Sequence, residues 1–339
     1  MKYRCNLLDW IRQGMMVVMS VGSLFVSCSG GEVPEIDREG IQALQVESAR
    51  MDSEILTRSI TLVTSGSIGL FLRNLPDYDV YTDKNNVHYI YGTPSWTVNA
   101  GTTPIYLGGD NANVCAYYPY LADNNDISIA MQSRGYNANY DLAYATNVMM
   151  NGTSETSDPV AGTVGCKVSF TMKRAYAMLA FEFVRSNYPG TCKITAIEIQ
   201  KCVQSGSINI SNGNPGNSVL AAGTSFTYLT SPMEAITVPL SNSYITGKDA
   251  AHMYENCLIV PGDNRKSAGA DVGGFLVVLT VDNHTMTAQV PYSALPKFEA
   301  GKIYTVGLSL KGTATEIGTV TITDWVAGPS TGGPYEPLP

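Results

Sequence analysis

Residues 298–325 read FEAGKIYTVGLSLKGTATEIGTVTITDW. Tyr304, Val306, Leu308 and Leu310 fall on one face of an extended KIYTVGLSLK, and Val320 and Ile322 share a face of TVTITDW. Period-two alternation of β-branched and aromatic residues is the signature of half-buried strands. Upstream, Gly274 to Val281 and Thr285 to Val290 predict a hairpin around Asp282-Asn283, with the continuous FLVVLTV run as a buried central strand. ITAIEIQ places Ile194, Ala196, Ile197 and Ile199 on both faces of a further strand, and SGSINISNGNPGN reads as a strand ending in a turn.

The N-terminal part follows the same grammar. Trp96 to Val98, Pro104 to Leu107 and Val114 to Tyr120 are short apolar runs between Asn- and Gly-rich turns. Ile60 and Leu62, then Ile68, Leu70 and Leu72, form two alternating segments separated by Thr64-Ser65-Gly66, which predicts a hairpin turn. A first strand is expected from Ile41 to Ser48, with Leu44 and Val46 on one face and Ile41 and Ala43 on the other, an imperfect alternation. Residues 121–162 are polar and rich in turn formers, which marks a domain boundary.

Composition agrees: charged residues make up 15% of the chain, with 32 Gly and 20 Tyr, which favours short strands and tight turns over helices. The class read from these patterns is all-β, built of β-sandwiches. A length of 339 residues accommodates about two domains, expected at 41–163 and 164–339.

The N-terminus reads as a secretion signal over residues 1–27. Lys2, Arg4 and Arg12 supply positive charge, and the apolar run Met15 to Val26 is too short to span a bilayer. It ends in Val26-Ser27-Cys28-Ser29-Gly30, the small-residue and cysteine pattern of a lipoprotein signal, so Cys28 is the expected lipidation site. Residues 28–40 follow as a polar linker. A net charge of −8 offers no electrostatic footprint for nucleic acid. Seven cysteines occur: Cys5 in the signal, Cys28, and Cys115, Cys166, Cys192, Cys202 and Cys257. Cys192 and Cys202 flank one strand and would lie roughly 33 Å apart if it is straight, far beyond disulfide reach.

No catalytic motif occurs, and His88, His252 and His284 are isolated from one another. The Asp- and Asn-rich runs at 110–113 and 123–126 have turn chemistry and lack the spacing of a Ca²⁺ loop. No cofactor or metal site is expected. Tyrosines at 89, 91, 117, 118 and 120, with Trp96, could form a stacking platform for sugar rings. That makes a glycan-binding surface lipoprotein that does not polymerise the rival functional reading. Core packing is the alternative use of the same residues.

Two arginines, Arg50 and Arg58, lie in polar surroundings after the first strand. Cleavage at either would separate the anchor and that strand from the body. Several segments together resemble the fimbrillin family of type V pili on Gram-negative surfaces: the signal ending at Cys28, LTRS at 56–59, Trp96 with PIYL and VCAYYPY, MKRAYAMLAFEF, NCLIVPG, and FEAGKIYTVGLSLKG with VTITDW. The resemblance implies two tandem transthyretin-like β-sandwich domains and no enzymatic activity. It implies a precursor lipidated at Cys28 and held at the outer membrane. An arginine-specific surface protease would remove the anchor and first strand, and other fimbrillin subunits would then join by strand donation. Receptors or glycans on host or bacterial surfaces are further partners it implies. Arg58 is favoured over Arg50 because Ile60-Thr61-Leu62 follows at once, so a cut there frees a whole leading strand. The proline-rich tail GPSTGGPYEPLP is a poor donor strand, which leaves TVTITDW for that role or makes the protein a tip, anchor or minor subunit.

Overall fold

The computed structural model describes residues 41–52, 61–77, 79–152, 166–185, 188–216, 225–227, 236–237, 257–263, 274–311 and 314–324. The strands used below are β1 (Gln45–Met51), β2 (Thr61–Leu62), β3 (Ser67–Asn74), β4 (Lys84–Gly92), β5 (Ser95–Val98), β6 (Ala112–Tyr118), β7 (Ser128–Gln132), β8 (Arg134–Gly135), β9 (Ala143–Met150) and β10 (Lys167–Arg174). They continue as β11 (Ala177–Arg185), β12 (Lys193–Gln200), β13 (Ser205–Asn209), β14 (Cys257–Ile259), β15 (Phe275–Val281), β16 (His284–Val290), β17 (Lys302–Lys311) and β18 (Ala314–Asp324). A 3-10 turn at Ala138–Tyr140 is the one helical element among the described residues.

An eight-stranded sheet runs β2-β1-β10-β9-β6-β3-β4-β5. It folds over so that β1 also packs against β5, which is not its hydrogen-bonded neighbour. Its inner face is a cluster that includes Leu70, Leu72, Val114, Val168, Phe170 and Met172. The later strands form a sandwich. One sheet runs β8-β14-β11-β17-β18 and the other joins Ser225–Thr227 to β12, β15 and β16. Phe181, Phe183, Ile197, Leu279, Val306 and Leu308 belong to the cluster that fills this second core. The alternation of KIYTVGLSLK is thus realised: Tyr304, Val306, Leu308 and Leu310 are fully buried. A third cluster, with Phe71, Tyr117, Met131, Tyr176, Met178 and Leu258, draws on strands of both sheet systems. The chain is all-β, as its patterning predicts.

Two expectations about local structure are revised. The turn at Thr64-Ser65-Gly66 forms, but β2 pairs with β1 while β3 pairs with β4 and β6, so no hairpin joins them. The stretch 121–162 is more than polar turns, because β7, β8 and β9 lie in it and β9 sits inside the large sheet between β6 and β10. A bulge between Ala145 and Val148 breaks the alternation of β9, which hides the strand in a reading by period. The expected boundary at residues 163 and 164, the signal over 1–27 and the linker over 28–40 lie outside the described residues.

The hairpin at Asp282-Asn283 is present, with φ of 45° and 66° at the two turn residues, the pairing of positive angles that a tight two-residue hairpin requires. Asp282 also organises the loop before β12. Its carboxylate accepts hydrogen bonds from the Thr191 hydroxyl (2.5 Å) and from the N–H groups of Cys192 (2.9 Å) and Lys193 (3.0 Å). The Thr191 hydroxyl and these N–H groups hold its pKa down, from 3.8 to about 2. A carboxyl depressed in the folded state adds stability above its unfolded pKa and loses it as pH falls through the folded one. Asp282→Asn is therefore expected to be less stable than the parent at neutral pH, with the difference shrinking as pH drops from 3.8 toward about 2. Urea unfolding across the acid range measures this, and a difference independent of pH would refute it.

The five described cysteines are buried and unpaired. Burial pushes the thiols of Cys115 and Cys202 up to about 12 and those of Cys166 and Cys192 up to about 11. They act as small apolar core residues.

Candidate functional site

β1 is seated between two strands that come from later in the chain. On one side it pairs in parallel with β10, Gln45 opposite Lys167 and Met51 opposite Met172. A parallel pair cannot be closed by a tight hairpin, and here the partners are separated by all of β2 to β9. On the other side β1 pairs antiparallel with β2, Arg50 opposite Leu62. Both ends are tied by further backbone bonds: Gln45 N–H to the Cys166 carbonyl (2.8 Å), Asp52 N–H to Met172 (2.7 Å) and Val63 N–H to Ala49 (2.8 Å). Just upstream, Leu44 donates to the Ile105 carbonyl (2.8 Å) and accepts from the Tyr89 hydroxyl (3.0 Å).

The apolar side chains of this segment all reach the core. Leu44, Val46 and Ala49 are at most 3% exposed and Met51 is 9% exposed. Their numbering explains the imperfect alternation of the sequence. The β1 to β10 register slips between Val168 and Ser169, which pair with Val46 and Ser48, so Glu47 is an extra residue in β1. The bulge moves the inward positions from even numbers (44, 46) to odd (49, 51). The pattern is that of one strand with a phase change, and the strand runs on past Ser48 to Met51.

Arg50 consequently lies inside β1, half-buried and paired on both sides, with its Nε buried and without a hydrogen-bond partner. Cys28 and Arg58 lie outside the described residues. Arg58 falls in the sequence between the end of β1 and the start of β2. The structure therefore brings Arg50 into the strand itself and separates the two arginines by the end of β1.

The proposed aromatic platform does not exist as an exposed face. Tyr89, Trp96 and Tyr117 are buried, and Tyr91 and Tyr118 pack half-buried on the first core. The Tyr117 hydroxyl donates to Asn86 Oδ1 at 2.6 Å and burial pushes its pKa up to about 12. His88 stacks on Tyr120 with ring centroids 3.7 Å apart, and desolvation lowers its pKa. These side chains fasten β4 to β6. Among the described residues, no three His, Cys, Asp or Glu side chains gather as a metal site.

The model of the family described as fimbrillin-like matches residues 64–325, most of the chain. The chain belongs to the fimbrillin-like family. The match begins after β1 and β2 and ends at Trp325. Among solved structures, this fimbrillin-like chain is similar to a candidate cell adhesion protein from Bacteroides ovatus, with a TM-score of 0.59 and 16% identity over 85% of this chain and 99% of that one. A second candidate cell adhesion protein, from Bacteroides uniformis, gives a TM-score of 0.52 and 18% identity, covering 85% of this chain and 100% of that one. At such identities the likeness is one of fold. Comparison with curated proteins finds no match.

Proposed function

We propose that this fimbrillin-like chain is a subunit of a surface fimbrium, exported as a precursor lipidated at Cys28 and trimmed at Arg58 by an arginine-specific protease, so that β1 leaves and a strand from a neighbouring subunit takes its place. The observation that carries this reading is the seating of β1. It is an early segment of the chain that completes the first core, and its pairing with β10 and β2 is made by strands that follow residue 58 in the sequence, so a cut there leaves it held by non-covalent contacts alone. Its loss would open the edges of β10 and β2 and uncover the pockets of Leu44, Val46 and Met51. Three such side chains are worth about 6 kcal/mol of burial, and unpaired strand edges beside an apolar slot favour addition of another strand. A head-to-tail contact of that kind does not close and builds a filament. Arg50 suits processing poorly, because a protease requires an extended segment free of its sheet and Arg50 is hydrogen-bonded into one, and the sequence reading of Arg58 is retained.

The test is mass spectrometry of the protein shed from cells, with filaments followed by electron microscopy. The expected N-terminus of the shed chain is Ser59. Arg58→Ala should leave lipidated, unassembled chains at the membrane, while Arg50→Ala should process normally. Lipid retained on Cys28 in every wild-type molecule, or a cut at Arg50, would overturn the scheme.

A further inference from the structure

Beside the third core cluster lies a pocket of about 430 Å³. It is remote in sequence from β1 and from the cysteine and arginines of the processing scheme. Met131, Leu142 and Tyr176 give it an apolar floor, and Gln132, Asn139 and Ser205 give it a polar rim. Its volume falls within the ~300–1,000 Å³ range of small-molecule sites, near the lower end.

Among the described residues, Arg134 is the only charged one lining this pocket. Its guanidinium lies 4.0 Å from the ring centroid of Tyr140, and its Nη2 donates to Gln132 Oε1 at 3.0 Å. Its Nε is buried and has no hydrogen-bond partner. No Asp or Glu among the described residues forms an ion pair with it, whereas the nearby carboxylate of Asp141 is engaged by Arg174. The half-buried guanidinium has no carboxylate counter-ion among the described residues, and its outer Nη groups present the planar fork that a ligand carboxylate matches well.

The remaining features select the body of the ligand. Tyr140 lines the pocket and is 47% exposed, and with the Arg134 guanidinium over one face of its ring the other face is left for a ligand. The carboxamides of Gln132 and Asn139 can both donate and accept at the rim. An amphipathic ring with an apolar C–H face and hydroxyls around its edge satisfies both. We propose that this pocket binds an acidic sugar, its carboxylate on Arg134, its ring against Tyr140 and its hydroxyls on the amides. The site is distinct from the buried tyrosines of β4 and β6, and it does not depend on strand exchange.

The experiment is titration of the full unlipidated chain with oligosaccharides ending in glucuronic, galacturonic or sialic acid, each beside its neutral counterpart. Saturable binding of at least one acidic sugar is expected, about tenfold tighter than its neutral partner and about tenfold weaker in Arg134→Gln. Arg134→Lys should recover part of the loss, since charge remains and the fork geometry does not. Tyr140→Ala, on an exposed turn, should weaken acidic and neutral sugars alike, and provides an independent reading if Arg134→Gln fails to fold. No acidic sugar bound in preference to its neutral partner, or binding unaffected by both variants, would overturn the proposal. So would a peptide with a free C-terminus binding through Arg134 where no sugar binds.

Discussion

Val46→Glu is expected to destabilise the untrimmed chain by at least ~4 kcal/mol, combining the loss of a buried aliphatic side chain with the burial of a charge that has no partner. Val46 is 3% exposed and pairs with Val168, itself fully buried, so the carboxylate has no short route to water. Gln45→Glu, one residue away on the exposed face of the same strand, serves as the control and should change stability by no more than ~0.5 kcal/mol. Urea unfolding of the unlipidated full-length protein measures both. The functional reading adds a second expectation. Once β1 has been removed, residue 46 is absent, so any Val46→Glu subunits that reach the filament should unfold like wild type. A defect that persists in isolated filaments would mean that β1 stays in place.

Asp141→Ala is expected to cost about 3–5 kcal/mol. Asp141 and Arg174 form an ion pair whose side chains are 9% and 11% exposed, tying the end of the 3-10 turn to the end of β10. Burial pushes the Asp141 carboxyl up, while the Arg174 guanidinium pulls it back toward ionisation. Removing the carboxylate leaves a cation in surroundings that were arranged around the pair. Replacing both partners, as Asp141→Leu with Arg174→Met, should recover most of the loss, because well-packed apolar groups of similar size commonly equal a buried pair. Thermal and urea unfolding of the single and double variants tests this. Equal destabilisation in both would show that shape, not charge, is what the site requires. Since Asp141 follows Tyr140 directly, the single variant should also loosen the wall of the Arg134 pocket.

The C-terminal sandwich was legible because β15 and β17 keep an unbroken run of inward positions, although their partners β12 and β18 carry bulges. Tyr304 through Leu310 alternate without interruption, and Asp282-Asn283 has the chemistry of its turn. What could not be read came from bulges and from non-local pairing. The residue inserted at Glu47 mixes two phases within β1, and the bulge after Ala145 does the same to β9. No local pattern announces that β2 turns to β1 rather than to β3, since that choice depends on strands far away in the sequence. The aromatics at 89, 96 and 117 are equally compatible with a platform and a core, and only the folded sheet places them inside. Arg134 and Tyr140 stood in a polar stretch with nothing to distinguish them until β7, β8 and the turn at 138–140 curled around a common space.

Under the strand exchange proposed above, the bulge at Glu47 would also set an admission rule for the slot that β1 fills. Inward positions 44, 46, 49 and 51 are spaced by two, three and two residues. A guest strand of plain alternation that seats its first two side chains correctly would turn its third and fourth toward solvent. The slot thus tests the rhythm of a candidate as well as its greasiness. In this chain's own sequence, Val320, Ile322, Trp325 and Ala327 carry the same two, three, two spacing. A filament built from such joints would be proofread by syncopation: an apolar strand with the wrong beat could enter but not seat along its full length.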